Sequence, residues 1–309
     1  MGQLMIQITD LTKQFSRNQP PAVKKLSLEI NDGEIMGFAG LNGAGKTTTI
    51  RIVCGIIFPT GGKVLVNGKD IVKEKVAASK HIGWVPELPN FEPTGKSVQL
   101  LKYYAGFYGI PPKEAEAKAE SLLKKFNIWD ARKRPLKDYS QGMKKRFSIA
   151  AAMMGDPDNF LFDETLNGLD PEGVKNMRDF MLSLKKEGKA VFLSSHILSE
   201  LENVADRIAI IKRGEIVKVV ERSELSNLGE LSVKIVLQKV DENAISLLQQ
   251  FGKPENSGNE ITLRSLNIPS DELYKVSELL FKAGYRVISI STESEGLEDY
   301  FLELVGSGK

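Results

Sequence analysis

The sequence predicts an α/β domain that carries an inserted helical lobe, followed by a small α+β domain. Three observations support this fold class. Short β-rich runs alternate with longer helical patterns through roughly the first two thirds of the chain. Within that part, residues 94–155 contain helical patterns but no convincing strand. Beyond Gly229 the order becomes strand, helix, strand, strand, helix and strand.

The strands of the first domain are predicted from short apolar or alternating runs, several of them typical of buried strands. These runs are residues 6–11, 27–30, 34–39, 64–66, 82–85, 160–162, 190–193, 208–211 and 216–219. Helices are predicted where apolar residues recur at helical spacing. These segments are residues 46–54, 97–108, 112–126, 141–154, 171–186 and 197–203.

The second domain is predicted to be ferredoxin-like because its elements follow a βαββαβ order. The segments are 231–237, 242–250, 253–255, 260–263, 270–283 and 286–290, with a closing helix at 297–304. Gly258-Asn259 stands where a hairpin turn is needed. We place the domains at residues 1–226 and 229–309, with the helical subdomain at about 94–155 and a joint at 227–229.

Composition excludes several classes of protein. The chain has 309 residues, of which 41% are hydrophobic and 27% charged, a profile that fits neither a disordered nor a collagenous protein. Its one cysteine, Cys54, excludes an internal disulfide and a cysteine-based zinc site, and it indicates a reducing, cytoplasmic compartment. Residues 1–224 carry 34 basic and 27 acidic side chains, whereas residues 225–309 carry 8 and 13. The two domains therefore differ in charge.

No membrane segment is predicted. The longest apolar runs, such as residues 52–58, are far shorter than the roughly 18 residues that a spanning helix needs. Residues 1–10 lack the pattern of a signal peptide. We therefore expect any action at a membrane to require a partner.

A phosphate-binding loop is the strongest chemical signal in the sequence. The segment G-L-N-G-A-G-K-T follows a predicted strand and opens a predicted helix, which is the context that this motif requires. Its backbone N–H groups and the helix amino terminus are expected to surround phosphate oxygens. Lys46 adds a positive charge, and the Thr47 hydroxyl is a candidate magnesium ligand. The predicted nucleotide-binding residues here are Gly40, Asn42, Gly43, Ala44, Gly45, Lys46, Thr47 and Thr48.

Two adjacent carboxylates end a predicted apolar strand. Asp163 and Glu164 follow residues 160–162, and the carboxyl end of a parallel strand faces the crevice where such sheets bind ligands. Asp163 is a candidate magnesium ligand, and Glu164 a candidate base for the water that attacks the γ-phosphate. By itself such a pair is more typical of a solvated strand end. The phosphate-binding loop favours the catalytic interpretation.

Two further features have both a functional and a structural interpretation. His196 follows the strand at residues 190–193 and is predicted to hydrogen-bond the γ-phosphate or the attacking water, although alone it would be a surface or capping histidine. His81 keeps that structural interpretation. Ser140 and Gly142 open a helix, where they form either a second anion site or a simple helix cap.

These segments, in this order and with a helical lobe between the first two, resemble the nucleotide-binding subunit of ABC transporters over residues 3–222. The resemblance identifies residues 40–48 as the Walker A loop, 160–164 as the Walker B strand, 166–170 as the D-loop and His196 as the switch histidine. It also places Phe15 where the family stacks an aromatic ring on adenine, although a phenylalanine at a strand end is more often a packing residue. The implied ligands are ATP and Mg²⁺, and the implied activity is ATP hydrolysis, with Lys46, Glu164 and His196 as catalytic residues.

The resemblance further implies a head-to-tail dimer, formed with a second copy or with another ATPase subunit. In that dimer, Ser140 and Gly142 of one subunit cap the ATP bound by the other. Closure is expected to drive a separate transmembrane permease, so the protein is expected on the cytoplasmic face of the cell membrane. No nucleic-acid partner is expected.

The sequence departs from the family pattern in two places. Tyr139, Gln141 and Met143 replace three of the five usual signature residues, Leu-Ser-Gly-Gly-Gln, while Ser140 and Gly142 are kept. Glu87 replaces the glutamine of the Q-loop, and a carboxylate cannot donate a hydrogen bond as an amide can. Glu87 therefore ranks below Thr47 and Asp163 as a metal ligand.

Both departures, together with the acidic second domain, resemble the branch that serves export permeases for drugs, antibiotics, polysaccharides or sodium. The alternative function is that of an ABC ATPase acting on ribosomes or nucleic acid, but the single phosphate loop and modest basic excess do not favour it. A third hypothesis makes residues 230–309 a small-molecule sensor. The transported substrate is not predicted.

Overall fold

A computed structural model describes residues 3–225, 231–294 and 301 of the chain. The chain divides into two compact units, residues 1–222 and 223–309. The strands are β1 (Leu4–Lys13), β2 (Val23–Asn31), β3 (Ile35–Ala39), β4 (Gly61–Val66), β5 (Lys69–Asp70), β6 (Ile82–Val85), β7 (Asn159–Asp163), β8 (Ala190–Ser195), β9 (Arg207–Lys212), β10 (Glu215–Glu221), β11 (Leu231–Leu237), β12 (Lys253–Ser257), β13 (Glu260–Arg264) and β14 (Val287–Ser294).

The α-helices are α1 (Lys46–Val53), α2 (Lys75–Ser79), α3 (Ser97–Phe107), α4 (Pro112–Lys125), α5 (Gln141–Ala152), α6 (Pro171–Lys186), α7 (Leu198–Glu202), α8 (Arg222–Leu225), α9 (Glu242–Leu248) and α10 (Tyr274–Lys282). None of the helices in the described ranges combines the length and the apolar character that a membrane-spanning segment requires.

The sheet that positions the chemistry of the first unit has the order β10-β9-β3-β8-β7-β6. Strands β9, β3, β8, β7 and β6 run parallel, while β10 is antiparallel to β9. Strands β3, β7 and β8 are buried along their whole length, as expected for parallel strands covered on both faces. Because they are parallel, their carboxyl ends meet at one edge, where ligands bind in such sheets.

An antiparallel sheet of order β2-β1-β4-β5 packs with the parallel sheet around a common apolar core. Helices α3, α4 and α5 form a separate cluster, whose buried centre includes Leu101, Leu123 and Phe147. These three helices lie in the stretch where the sequence predicts helices without strands. The predicted α/β core with an inserted helical lobe is confirmed.

The second unit has four antiparallel strands in the order β12-β13-β11-β14, with α9 and α10 packed on its apolar core. The element order is βαββαβ, so the predicted ferredoxin-like arrangement is confirmed. Ser257 pairs with Glu260, and Gly258 has a φ of 68°, which confirms the predicted turn at Gly258-Asn259. The joint at 227–229 and the closing helix at 297–304 lie outside the described residues, apart from the buried Phe301.

Some element boundaries differ from the sequence predictions. The helix predicted at 270–283 is divided into a 3₁₀ turn, Ser270–Glu272, and α10, because the first turn forms tighter i to i+3 hydrogen bonds. Strand β5 and helix α2 are not predicted by the sequence. They span two and five residues, too few to produce a hydrophobic period.

Gly45 offers a test of how the phosphate loop is built. Its φ is +112°, and an added Cβ would lie 2.5 Å from the Ala22 carbonyl oxygen, whereas Gly43, at φ +80°, has open space around it. We expect Gly45→Ala to lower the free energy of unfolding by about 2 kcal/mol more than Gly43→Ala does. Urea unfolding followed by the fluorescence of Trp84 and Trp129, both in the first unit, measures the difference. Equal losses of unfolding free energy in the two variants would contradict a close contact between residue 45 and the Ala22 carbonyl oxygen.

Candidate functional site

The loop between β3 and α1 forms one wall of a pocket of about 240 Å³. Helix α1 begins at Lys46, directly after Gly45 in a left-handed conformation that a side chain would strain. The pocket is lined by Ala22, Asn42, Gly43, Gly45, Lys46, Thr47, Thr48, Glu87, Glu164, Asn167 and His196. The loop and the carboxyl ends of β7 and β8 therefore meet at one place.

Lys46 is buried and carries the positive charge of the pocket. Only 5% of the residue is exposed. Its Nζ donates hydrogen bonds to the carbonyl oxygens of Gly40, at 2.6 Å, and Leu41, at 3.3 Å. The same nitrogen lies 3.0 Å from Glu164 Oε1. A buried ammonium requires such partners because removing it from water is costly.

Glu164 is the acceptor at the centre of the site. Besides the ion pair with Lys46, its Oε2 accepts a hydrogen bond from Asn167 Nδ2, at 2.9 Å, and lies 2.6 Å from His196 Nδ1. Burial by itself raises the pKa of Glu164, but the bonds from His196 and Lys46 outweigh burial and hold that pKa below its ordinary value. The carboxylate is therefore ionised at neutral pH.

The backbone of Glu164 is strained into its position. Its φ is +51°, in the left-handed region that non-glycine residues seldom adopt. Its N–H donates to Ser194 Oγ, at 3.0 Å, and to the Ser194 carbonyl oxygen, at 3.2 Å. The turn after β7 thus directs the carboxylate of Glu164 toward the phosphate loop.

Asp163 is in a different electrostatic environment from its neighbour. Its Oδ1 accepts hydrogen bonds from Thr47 Oγ1, at 3.1 Å, and Ser194 Oγ, at 2.9 Å. Burial raises the pKa of Asp163 above its ordinary value, the negative charge of Glu164 adds to this rise, and the two hydroxyl bonds only partly oppose it. Environments that move the pKa values of two adjacent carboxylates in opposite directions are typical of sites that give them different roles.

Nine of the residues predicted from the sequence line this one pocket: Asn42, Gly43, Gly45, Lys46, Thr47, Thr48, Glu87, Glu164 and His196. Gly40 is beneath it, where its carbonyl oxygen accepts from Lys46, and Ala44 is buried in the core. Asp163 is connected to the pocket through Thr47.

Three other predicted residues do not line this pocket. Phe15 is 61% exposed, so its ring is not buried in a core, and Lys13 Nζ lies 4.9 Å from its ring centroid. Ser140 is the N-cap of α5, as predicted, and accepts from the Met143 N–H. Gly142 lines a second pocket, of about 400 Å³, beside α6.

His81, for which the sequence predicts a surface or capping position, is partly buried and pairs with Asp158. Its Nδ1 lies 2.7 Å from Asp158 Oδ2, away from the residues that line the phosphate pocket.

Asn167 and Ser194 are functional candidates for which the sequence predicts no individual role. Asn167 belongs to the loop after β7, and the available signals are its place in the D-loop segment and its spacing of three residues from Glu164. Ser194 pairs with Asp163 across β7 and β8, a register that the separate segments do not reveal. Asn167 donates a hydrogen bond to the Glu164 carboxylate, and Ser194 donates one to the Asp163 carboxylate.

Ser194→Ala tests the hydroxyl that joins the two carboxylates. We expect it to lower the free energy of unfolding by about 1–3 kcal/mol, since Asp163 and the Glu164 N–H each lose a buried partner. The lost donor raises the pKa of Asp163 further, so the cost is expected to increase from about pH 4.5 to pH 7.5 as Asp163 ionises. Tryptophan-monitored unfolding at both pH values measures it. Ser195→Ala, whose hydroxyl bonds Glu200 instead, is the control, and a pH-independent cost would contradict the assignment.

Comparison with known proteins shows which family the chain resembles, both at the phosphate loop and over nearly its whole length. A family model described as "ABC transporter" matches residues 23–167. The chain is 32% identical over 305 residues to the bacitracin transport ATP-binding protein BcrA of Bacillus licheniformis, covering 98% of each chain. It is 34% identical over 289 residues to the uncharacterized ABC transporter ATP-binding protein YhcH of Bacillus subtilis (strain 168), covering 93% of this chain and 92% of YhcH.

A solved structure of an ATP-binding subunit of an ABC transporter superposes with a TM-score of 0.66 at 26% identity. The similarity covers 72% of this chain and 92% of that subunit. The phosphate loop, the paired carboxylates and the full-length relatives agree: the chain belongs to the family of ABC transporter ATP-binding proteins, which bind and hydrolyse ATP and act with transmembrane permease components.

Proposed function

We propose that the 240 Å³ pocket binds the phosphates of ATP with Mg²⁺, and that Glu164 activates the water that attacks the γ-phosphate. The observation that carries this proposal is the meeting of Lys46, Glu164 and His196 in one pocket. Lys46 begins α1, Glu164 follows β7 and His196 follows β8. Glu164 contacts both of the others, Lys46 Nζ through Oε1 and His196 Nδ1 through Oε2.

The proposed phosphate-binding groups are the N–H groups of residues 42–48 and the ammonium of Lys46. Thr47 Oγ1 and the Asp163 carboxylate supply oxygen ligands of the kind that Mg²⁺ prefers, and they lie 3.1 Å apart. The fit is supported by Asp163 itself, because its pKa is raised by burial and a nearby cation would favour its ionised form. When bound, Mg²⁺ neutralises charge on the phosphates.

Glu164 is proposed as the general base because it is ionised and close to the phosphate loop. A nucleotide phosphate offers Lys46 a second anionic partner, so its binding would release Glu164 Oε1 from the ammonium. Glu164 Oε2 would remain oriented by Asn167 and His196. The freed oxygen can then accept a proton from water.

Ser140 and Gly142 are proposed to act on the nucleotide of a second subunit. They stand at the amino terminus of α5, where free N–H groups and the helix dipole favour an anion. Neither lines the phosphate pocket of its own chain. A head-to-tail pair of subunits would bring the two features together, with the exposed ring of Phe15 as a platform for adenine.

Glu87 is proposed to connect nucleotide and permease. It lines both the phosphate pocket and a larger cavity of about 660 Å³, in which Trp84, Leu88, Phe91 and Phe107 are among the lining residues. As an exposed carboxylate it can accept from a metal-bound water, which is a weaker role than that of Thr47 or Asp163. We place the permease contact at this cavity.

The permease is proposed to be an exporter, and the protein is proposed to act at the cytoplasmic face of the membrane. The resemblance of the signature segment and of the second domain to export-type subunits supports this. The relative named for bacitracin transport, similar over 98% of the chain, agrees with it. The same relatives favour transport over an action on ribosomes or nucleic acid.

Glu164→Gln is expected to bind ATP, to accumulate as an ATP-dependent dimer and to hydrolyse ATP at least about a hundredfold more slowly, because the amide cannot take a proton. Light scattering with chromatography, together with phosphate release, measures all three. Lys46→Ala, which removes the phosphate partner, is expected to lose ATP binding. Turnover by Glu164→Gln within threefold of the wild type would remove Glu164 from its proposed role.

Mixing two inactive variants tests the action of Ser140 in trans. Lys46→Ala and Ser140→Arg are each expected to be inactive, yet a mixed dimer unites both defects in one site and leaves the other intact. An equimolar mixture is therefore expected to recover about a quarter of wild-type turnover if two copies pair. A mixture no more active than its components would contradict pairing between copies of this chain.

A further inference from the structure

Lys145 is a buried charged residue that the proposed chemistry leaves without a role. It lies on α5, three residues beyond Gly142, and only 6% of it is exposed. Its Nζ donates a hydrogen bond to the backbone carbonyl oxygen of Asn167, at 3.2 Å. This contact joins the helical lobe to the loop after β7.

The burial of this ammonium is energetically unfavourable. Desolvation lowers the pKa of Lys145, and the charges of Glu87 and Glu200 only partly oppose that shift. A buried charge commonly stabilises a fold less than an apolar residue of similar size would. A directional contact that an apolar side chain cannot make is therefore the property that distinguishes Lys145 at this position.

The partner of Lys145 is the residue that also holds Glu164. Asn167 Nδ2 donates to Glu164 Oε2 at 2.9 Å, and the Asn167 N–H donates to the Glu164 carbonyl oxygen at 3.3 Å. One side of Asn167 is thus fixed by α5, and the other side orients the carboxylate. Two successive hydrogen bonds therefore connect α5 with Glu164, the proposed base.

We propose that Lys145 is a positioning residue that sets the orientation of Glu164 through Asn167. The proposal rests on Glu164 being the base. Its consequence concerns communication between the two sites of a dimer. Ser140, at the start of α5, would meet the partner's nucleotide, and the same helix would transmit that contact through Lys145 to the base of its own chain.

Lys145→Met is expected to lower kcat for ATP hydrolysis by the full chain about tenfold and to change KM for ATP less than about twofold, because Lys145 contacts Asn167 rather than the phosphate loop. Asn167→Ala is expected to behave similarly. If the two residues act in series, the double variant should be at most about twofold slower than the slower single variant. Lys145→Arg keeps a donor and is expected to recover most of kcat.

Lys113→Met removes an exposed charge from α4 and is the matched control, with kcat expected within twofold of the wild type. Multiplicative losses in the double variant, or a normal kcat for Lys145→Met, would overturn the proposal.

Should Lys145→Met fail to fold, Lys145→Gln, with a shorter donor, is expected to lower kcat at unchanged KM, and an unchanged kcat would overturn the proposal. If Glu164→Gln is inactive while Lys145→Met is normal, only the positioning role fails; near-normal Glu164→Gln turnover means that the proposed function itself fails.

Discussion

The buried ammonium of Lys46 must have a counter-charge, and much of the geometry of the site follows from how the chain supplies one. Two loop carbonyl oxygens and the carboxylate of Glu164 surround it. Their convergence requires the loop after β3 to turn back toward the end of β7. Glycine at position 45 permits that turn, because a side chain there would meet the Ala22 carbonyl oxygen. The same ion pair fixes the distance between the phosphate loop and the proposed base.

The surroundings of Asp163 and Glu164 shift the pKa values of these two carboxylates in opposite directions. Glu164 is ionised because Lys46 and His196 outweigh its burial, whereas the pKa of Asp163 is raised by its surroundings. Ser194 contacts both residues. Its hydroxyl donates a hydrogen bond to the Asp163 carboxylate, and its Oγ and carbonyl oxygen both accept from the Glu164 N–H. In the proposed cycle, a nucleotide and a cation bring charges that satisfy Lys46 and Asp163 together. Glu164 is then released to act on water.

The sequence was informative where chemistry is local. The glycine spacing around Lys46 and the position of Asp163 and Glu164 after an apolar run located the pocket, because parallel strands end at one edge. Contacts between distant segments were not predictable. The bond from Ser194 to Asp163 depends on the register of β7 and β8, and the bond from Lys145 to Asn167 depends on how α5 packs. Strand β5 and helix α2 were not predictable because they are too short to show a hydrophobic period.

The exchange of partners at Lys46 is the central claim, and the affinity for ADP tests it most directly, since ADP brings a phosphate to the loop without being hydrolysed. If Glu164 competes with phosphate for Lys46, Glu164→Gln weakens the competitor because the amide carries no charge. Calorimetry should then show that the variant binds ADP about three- to thirtyfold more tightly than the wild type does, a difference of roughly 0.7–2 kcal/mol in binding free energy. Equal or weaker binding would show that Glu164 and the phosphate do not share this ammonium.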